Sequence, residues 1–209
     1  MSHGVNALCR TEPEKGTNGM KRRSPHTAAA AVAAVVLGTL TACSTGPTPT
    51  APKVVNMDAS WARYYRSMAD LKAHTDVAVE GTITKATQEP GASTTSTPFT
   101  DFQFTVAATL YDPGHRAAAT AGGPATLTIH QTGGIVDGEQ FQIDDDPLFK
   151  VGEKYVLFLH EYATGHYMVV GGPTGRFAVG DSGAITPIVS DGVKFSGTLP
   201  ALSQALETS

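Results

Sequence analysis

Between Asp101 and Leu110 the larger side chains recur at every second position. Phe102, Phe104, Val106, Ala108 and Leu110 alternate with Asp101, Gln103, Thr105, Ala107 and Thr109. A period of two puts the first set on one face of a β-strand, whereas a helix would scatter it around its axis. The same alternation starts at Asp76, where Val77, Val79 and Ile83 oppose Glu80, Thr82 and Thr84. A third strand follows from Leu127 and Ile129 set against Thr126, Thr128 and His130, and it is expected to end at Gly133-Gly134. Phe141 and Ile143 suggest a short edge piece. In Tyr155-Val156-Leu157-Phe158-Leu159 every position is apolar, which marks a strand buried on both faces. Tyr167 to Val170 and Arg176 to Val179 complete the set, parted by Gly171-Gly172-Pro173. Tyr111-Asp112-Pro113-Gly114 has the residues of a chain reversal.

Helical spacing occurs at the two ends of this β region. Trp61, Tyr65, Met68 and Leu71 recur at intervals of four, three and three behind Asp58, a suitable N-cap, and Tyr64 widens the stripe. An aromatic stripe of this kind predicts core packing. Near the C-terminus Pro200 stands at a helix start, with Leu202 and Leu206 on one face. The expected fold class is mainly β: a small antiparallel Greek-key barrel with an N-terminal helix and a short C-terminal helix. The order of helix, long alternating strands, Gly-Gly turn and buried strand over residues 76–188 resembles the oligonucleotide/oligosaccharide-binding (OB) barrels. Their netrin-like and metalloproteinase-inhibitor-like relatives are the nearest analogy. That resemblance implies an OB-like barrel and no particular activity, because the fold hosts many.

The first 57 residues read differently. Lys21-Arg22-Arg23 precedes an apolar run from Ala28 to Leu40, and Leu40-Thr41-Ala42-Cys43 closes it. A basic segment, a short apolar segment and small residues form an export signal. The run is too short to span a membrane, which takes about 20 apolar residues. Leu40-Thr41-Ala42-Cys43 resembles the lipobox of bacterial lipoproteins. This implies cleavage between Ala42 and Cys43, diacylglycerol on the Cys43 thiol and acylation, such as by palmitate, of the new amino terminus. Met20 directly precedes the basic cluster, so residues 1–19 are expected to be an over-extended gene start and 20–42 the signal peptide. Residues 43–57 form a tether, with Pro47, Pro49 and Pro52 opposing a helix. Residues 58–209 form the β domain.

Cys9 and Cys43 are the only cysteines, so the exported part has no disulfide and stands on its own core. Loss of five basic and two acidic residues with the first 42 takes the net charge from −4 to −7. An acidic domain of this kind argues against nucleic acid or anionic headgroups as partners.

Three sets of residues invite chemistry. Gly180-Asp181-Ser182-Gly183 resembles the nucleophile motif of chymotrypsin-like serine proteases, and His74, Asp112 and Ser182 follow in that family's order. Catalysis would require a histidine within reach of Ser182, oriented by a carboxylate. Ala184 replaces that family's second glycine, and Asp-Ser-Gly is also an ordinary tight turn. Asp137, Glu139, Asp144, Asp145 and Asp146 offer hard oxygen ligands for calcium, although three adjacent aspartates cannot all face one ion. His74, His115, His130, His160 and His166 all lack the spacing typical of zinc, although His160 and His166 flank a hairpin turn and could meet over zinc or copper with Glu161 as the near carboxylate. No cofactor is expected, since the Gly-Gly pairs precede strands and not helices. The expected function is a lipid-anchored module on the extracytoplasmic face of the cell membrane. It would be a non-catalytic binding or structural module, meeting an envelope protein or a small ligand, with a Ser182 hydrolase or a metal-binding surface lipoprotein as the alternatives.

Overall fold

A computed structural model describes residues 51–89, 96–118 and 122–209. The signal segment, Ala42, Cys43, the Met20 start and most of the tether lie outside the described residues. Strands dominate: β1 (Lys53–Met57), β2 (Val77–Gln88), β3 (Phe99–Tyr111), β4 (Thr126–Val136), β5 (Glu139–Ile143), β6 (Lys154–Ala163), β7 (His166–Val169), β8 (Arg176–Val179) and β9 (Ile185–Pro187). The helices are α1 (Met68–Ala73) and α2 (Leu199–Glu207), and a 3-10 turn covers Gly172–Gly175.

The pairing is mixed, not wholly antiparallel. β2 pairs antiparallel with β3 and with β6, β3 with β4, and β6 with β7, while β7 meets β4 in parallel through Thr128↔His166 and Ile129↔Tyr167. The ladders thus run β2–β3–β4–β7–β6 and return to β2. Directions alternate at each antiparallel step, so a circuit of five strands must contain at least one parallel pair. β1 and β5 form a second parallel pair at the edge. Three register shifts bend β2, so its first half serves β6 while its length serves β3.

Alternation explains the two apolar clusters. Val77, Val79, Phe102, Phe104, Leu127, Ile129, Tyr155, Leu157, Leu159 and Tyr167 form one buried apolar cluster on one face of these strands. Ala78, Val156 and Phe158 point the other way and pack with Leu71, Phe177, Ile185, Leu202 and Leu206. β6 therefore contributes to both clusters, as its unbroken apolar run requires. Leu202 and Leu206 of α2 are buried as the short C-terminal helix predicts.

Three expectations need correction. The N-terminal helix starts at Met68, behind an Ser67 cap whose Oγ accepts from the Asp70 N–H at 3.2 Å, and not behind Asp58. Trp61 and Tyr65 instead have tertiary partners. A Cβ on Gly172 or Gly171, both at positive φ, would collide with those two rings. Side chains anchored across the fold outweigh the weak local preference of a short segment for helix. The tether also ends earlier than its composition suggests, because Lys53–Met57 finds the free edge of β5. Finally, β4 runs through Gly133-Gly134 to Val136. At Gly133, with φ of 121°, an added Cβ would lie 2.7 Å from the Phe141 carbonyl oxygen, so glycine lets β5 close in where a turn was expected.

Candidate functional site

The protease-like residues are not brought together. Asp181 and Ser182 form the tip of an exposed turn closed by Gly183 N–H to Gly180 O at 2.8 Å and Gly180 N–H to Ala184 O at 2.9 Å. His74 is engaged by Arg63 and by Asp70. Asp112 accepts from the N–H groups of Arg116 and Ala117, each at 2.8 Å, and so caps its own loop.

The acidic loop diverges as well. Asp144 accepts from Asn56 Nδ2 at 2.7 Å, and Asp145 from Trp61 Nε1 and the Tyr64 hydroxyl at 3.1 Å. Asp146 turns inward to Arg176 at 3.2 Å, and both side chains are buried. Burial pushes the Asp146 carboxyl above its usual range despite the opposing Arg176 charge. The hairpin histidines also separate. His160 pairs with Asp76 at 2.8 Å, and His166 contacts the Thr164 carbonyl. Glu161 accepts from Gly165 N–H at 2.9 Å and Arg116 Nε at 3.0 Å. The Gly165 hydrogen bond, followed by Arg116, holds its carboxyl below the usual range.

Two arrangements absent from the sequence reading emerge instead. The first is a cavity of about 340 Å³ where β2 ends and β3 begins. Phe102, Leu148 and Phe149 supply apolar wall, Gln140 and Gln142 supply amides, and Lys150 stands at one side. Its far wall is clamped from the core. The buried Gln131 amide donates to the Asp146 and Pro147 carbonyls and accepts from Phe149 N–H at 3.1 Å. Arg176 donates to Pro147 O and lies over the Phe149 ring at 3.9 Å. Gln131 occupies an inward position of β4 that alternation assigns to an apolar residue, and that exception was the available signal.

The second arrangement lies on outward positions of the same strands. Asp101 of β3 and His130 of β4 are register partners, and Asp101 Oδ1 lies 2.8 Å from His130 Nδ1. Glu89, one residue beyond β2, brings Oε1 to 3.6 Å from the same nitrogen. The imidazole stacks on Phe99 at 4.8 Å between centroids and leans on Tyr162 at 5.7 Å. Burial, then the charges of Asp101 and Glu89, raise the Tyr162 hydroxyl's pKa. The three groups are 12 and 29 positions apart in sequence, so only register places them together.

No helix among the described residues is long and apolar enough to cross a membrane. No protein-family model matches the chain, and no curated protein matches it.

Proposed function

We propose that this chain is a lipoprotein, anchored through Cys43 to the extracytoplasmic face of the cell membrane, that binds a small ligand without transforming it. The observation that carries the binding reading is the preformed cavity beside β2 and β3. Its volume falls within the usual range for small-molecule sites, roughly 300–1,000 Å³, and such sites are mostly apolar with a few fixed polar groups. Ring and aliphatic walls with glutamine amides suit a largely apolar ligand carrying neutral hydrogen-bonding groups. The clamp from Gln131 and Arg176 orders the wall before any ligand arrives, so little entropy is lost on binding.

The five-strand circuit supports a finer reading of the fold as an OB-like barrel, with the cavity at its mouth. A helix, α2, and the β8–β9 pair then cover the outside of β6. The lipobox supports the anchor. One acyl chain binds membranes only marginally, and diacylglycerol on Cys43 supplies the two chains that stable anchoring takes. An envelope protein could still meet the anchored domain, and nucleic acid is disfavoured by the domain's acidity.

The cavity is tested with a solvatochromic naphthalene dye on full-length protein in mild detergent. Ala86 lines the cavity and is exposed, so Ala86→Trp fills space without disturbing the core. Saturable dye fluorescence that drops at least tenfold in affinity in Ala86→Trp supports the reading, and unchanged binding overturns it. The anchor is tested separately by intact mass of protein extracted from its own membranes. A diacylglyceryl adduct at Cys43, lost in Cys43→Ser with release of the domain, is the expected result, and an unmodified Cys43 refutes the anchor.

A further inference from the structure

We propose that Glu89, Asp101 and His130 form a binding site for one first-row divalent metal ion, with zinc as its best-fitting probe. The donor atoms of these three side chains all lie within 4.8 Å of one another. Donors held about 2.0–2.2 Å from a tetrahedral ion stand roughly 3.3–3.6 Å apart. The Glu89 oxygen already lies 3.6 Å from His130 Nδ1, and the Asp101 oxygen must retreat only from 2.8 Å. The Asp101 oxygen therefore moves back from His130 by less than an ångström, and the two carboxylates, already within 4.8 Å of each other, close around the ion.

Backbone and packing hold the donors before any ion arrives. Asp101 and His130 are fixed by the β3–β4 ladder. Glu89 N–H donates to Phe99 O at 3.1 Å, which extends the β2–β3 ladder to the third ligand. Stacking on Phe99 and the flank of Tyr162 leave the His130 side chain 15% exposed and set its ring plane. Two carboxylates face one imidazole, and His130 is their ion-pair partner among the described residues. With a neutral imidazole the trio carries an excess of two negative charges, which a divalent cation balances. The donor set also selects among cations. Calcium takes six to eight oxygen ligands, whereas imidazole with carboxylates suits zinc and its neighbours. Three protein ligands leave a fourth position open outward, to water or to a donor from another molecule. This site stands outside the cavity and needs neither the dye-binding result nor the anchor.

Full-length protein in mild detergent, stripped with a chelator, is titrated with zinc against a chromophoric competitor. One zinc per chain is expected, with X-ray absorption showing a first shell of nitrogen and oxygen donors, no sulfur, and the outer-shell signature of one imidazole. Glu89→Gln, at an exposed position, and His130→Gln should each weaken zinc at least tenfold while circular dichroism stays unchanged. His160→Gln, from the separate Asp76 pair, should leave affinity within twofold. The proposal is overturned if zinc fails to bind at one per chain. It is equally overturned if Glu89→Gln binds as tightly as the parent, or if calcium at equal concentration displaces zinc.

Discussion

β6 and the outer face of β3–β4 are built on opposite terms. Tyr155 to Leu159 are buried without exception, and they supply the inner cluster and the outer cluster alternately. Across the circuit, β3 and β4 bury their inward residues in one apolar cluster and leave most outward ones partly exposed. Their outward positions carry Asp101, Gln103, Thr128 and His130, tied by side-chain hydrogen bonds such as Gln103 Nε2 to Thr128 Oγ1 at 3.1 Å. A strand covered on both faces has no position to spare for chemistry. A strand covered on one face has every second one, and both arrangements with binding character lie beside β3 and β4.

The largest effect that would sharpen this contrast is in the core. Phe104→Ala removes a side chain with no exposure and should cost about 3–5 kcal/mol, while Gln103→Ala, one residue away on the outer face, should cost well under about 1 kcal/mol. Urea denaturation measures both, and equal losses would refute the one-sided description of β3.

Next comes the buried pair between β8 and the loop that follows β5. Arg176→Met leaves Asp146 without its cationic partner and should cost about 3–5 kcal/mol. The double variant Arg176→Met, Asp146→Leu should recover much of that, because the uncompensated charge is gone. If the double variant is no more stable than the single one, the loss lies in the hydrogen bonds and ring contacts of Arg176 and not in charge.

A smaller, pH-dependent effect belongs to Glu161, at the exposed end of β6. Its folded pKa lies below the unfolded value of about 4.3, so the folded state favours the ionised form. The resulting stability is complete above that value and is lost as pH falls through the folded pKa. The melting-temperature gap between the parent and Glu161→Gln should therefore be widest near neutrality and narrow below about pH 5. A gap that widens in acid would reverse the assignment.

The smallest effect is expected at Ser182, exposed in its turn. Ser182→Ala should change stability by no more than about 0.5 kcal/mol. A melting shift of many degrees would show that the turn has partners beyond its own backbone.

Periodicity made most of the β-strands legible, because a side chain's face in a strand depends only on whether its position is odd or even. Phe102, Phe104 and Val106, Tyr155 to Leu159 and the Leu202–Leu206 pair pack as their spacing indicates, whereas Leu110, expected on the face of Phe102, packs against the other cluster. Periodicity misled where tertiary partners outweighed local preference: Trp61 and Tyr65 match a helical stripe yet lie outside α1, and Gly133-Gly134 looks like a turn inside β4. The parallel β4–β7 pairing followed from closing an odd number of strands, which no local pattern encodes. The cavity and the carboxylate–imidazole cluster were hidden for the same reason. Glu89, Asp101 and His130, like Gln131 and the Asp146–Phe149 wall, are neighbours only through strand register and loop closure. Residue spacing reports the face that a side chain occupies, whereas the side chain across from it is decided when the strands pair.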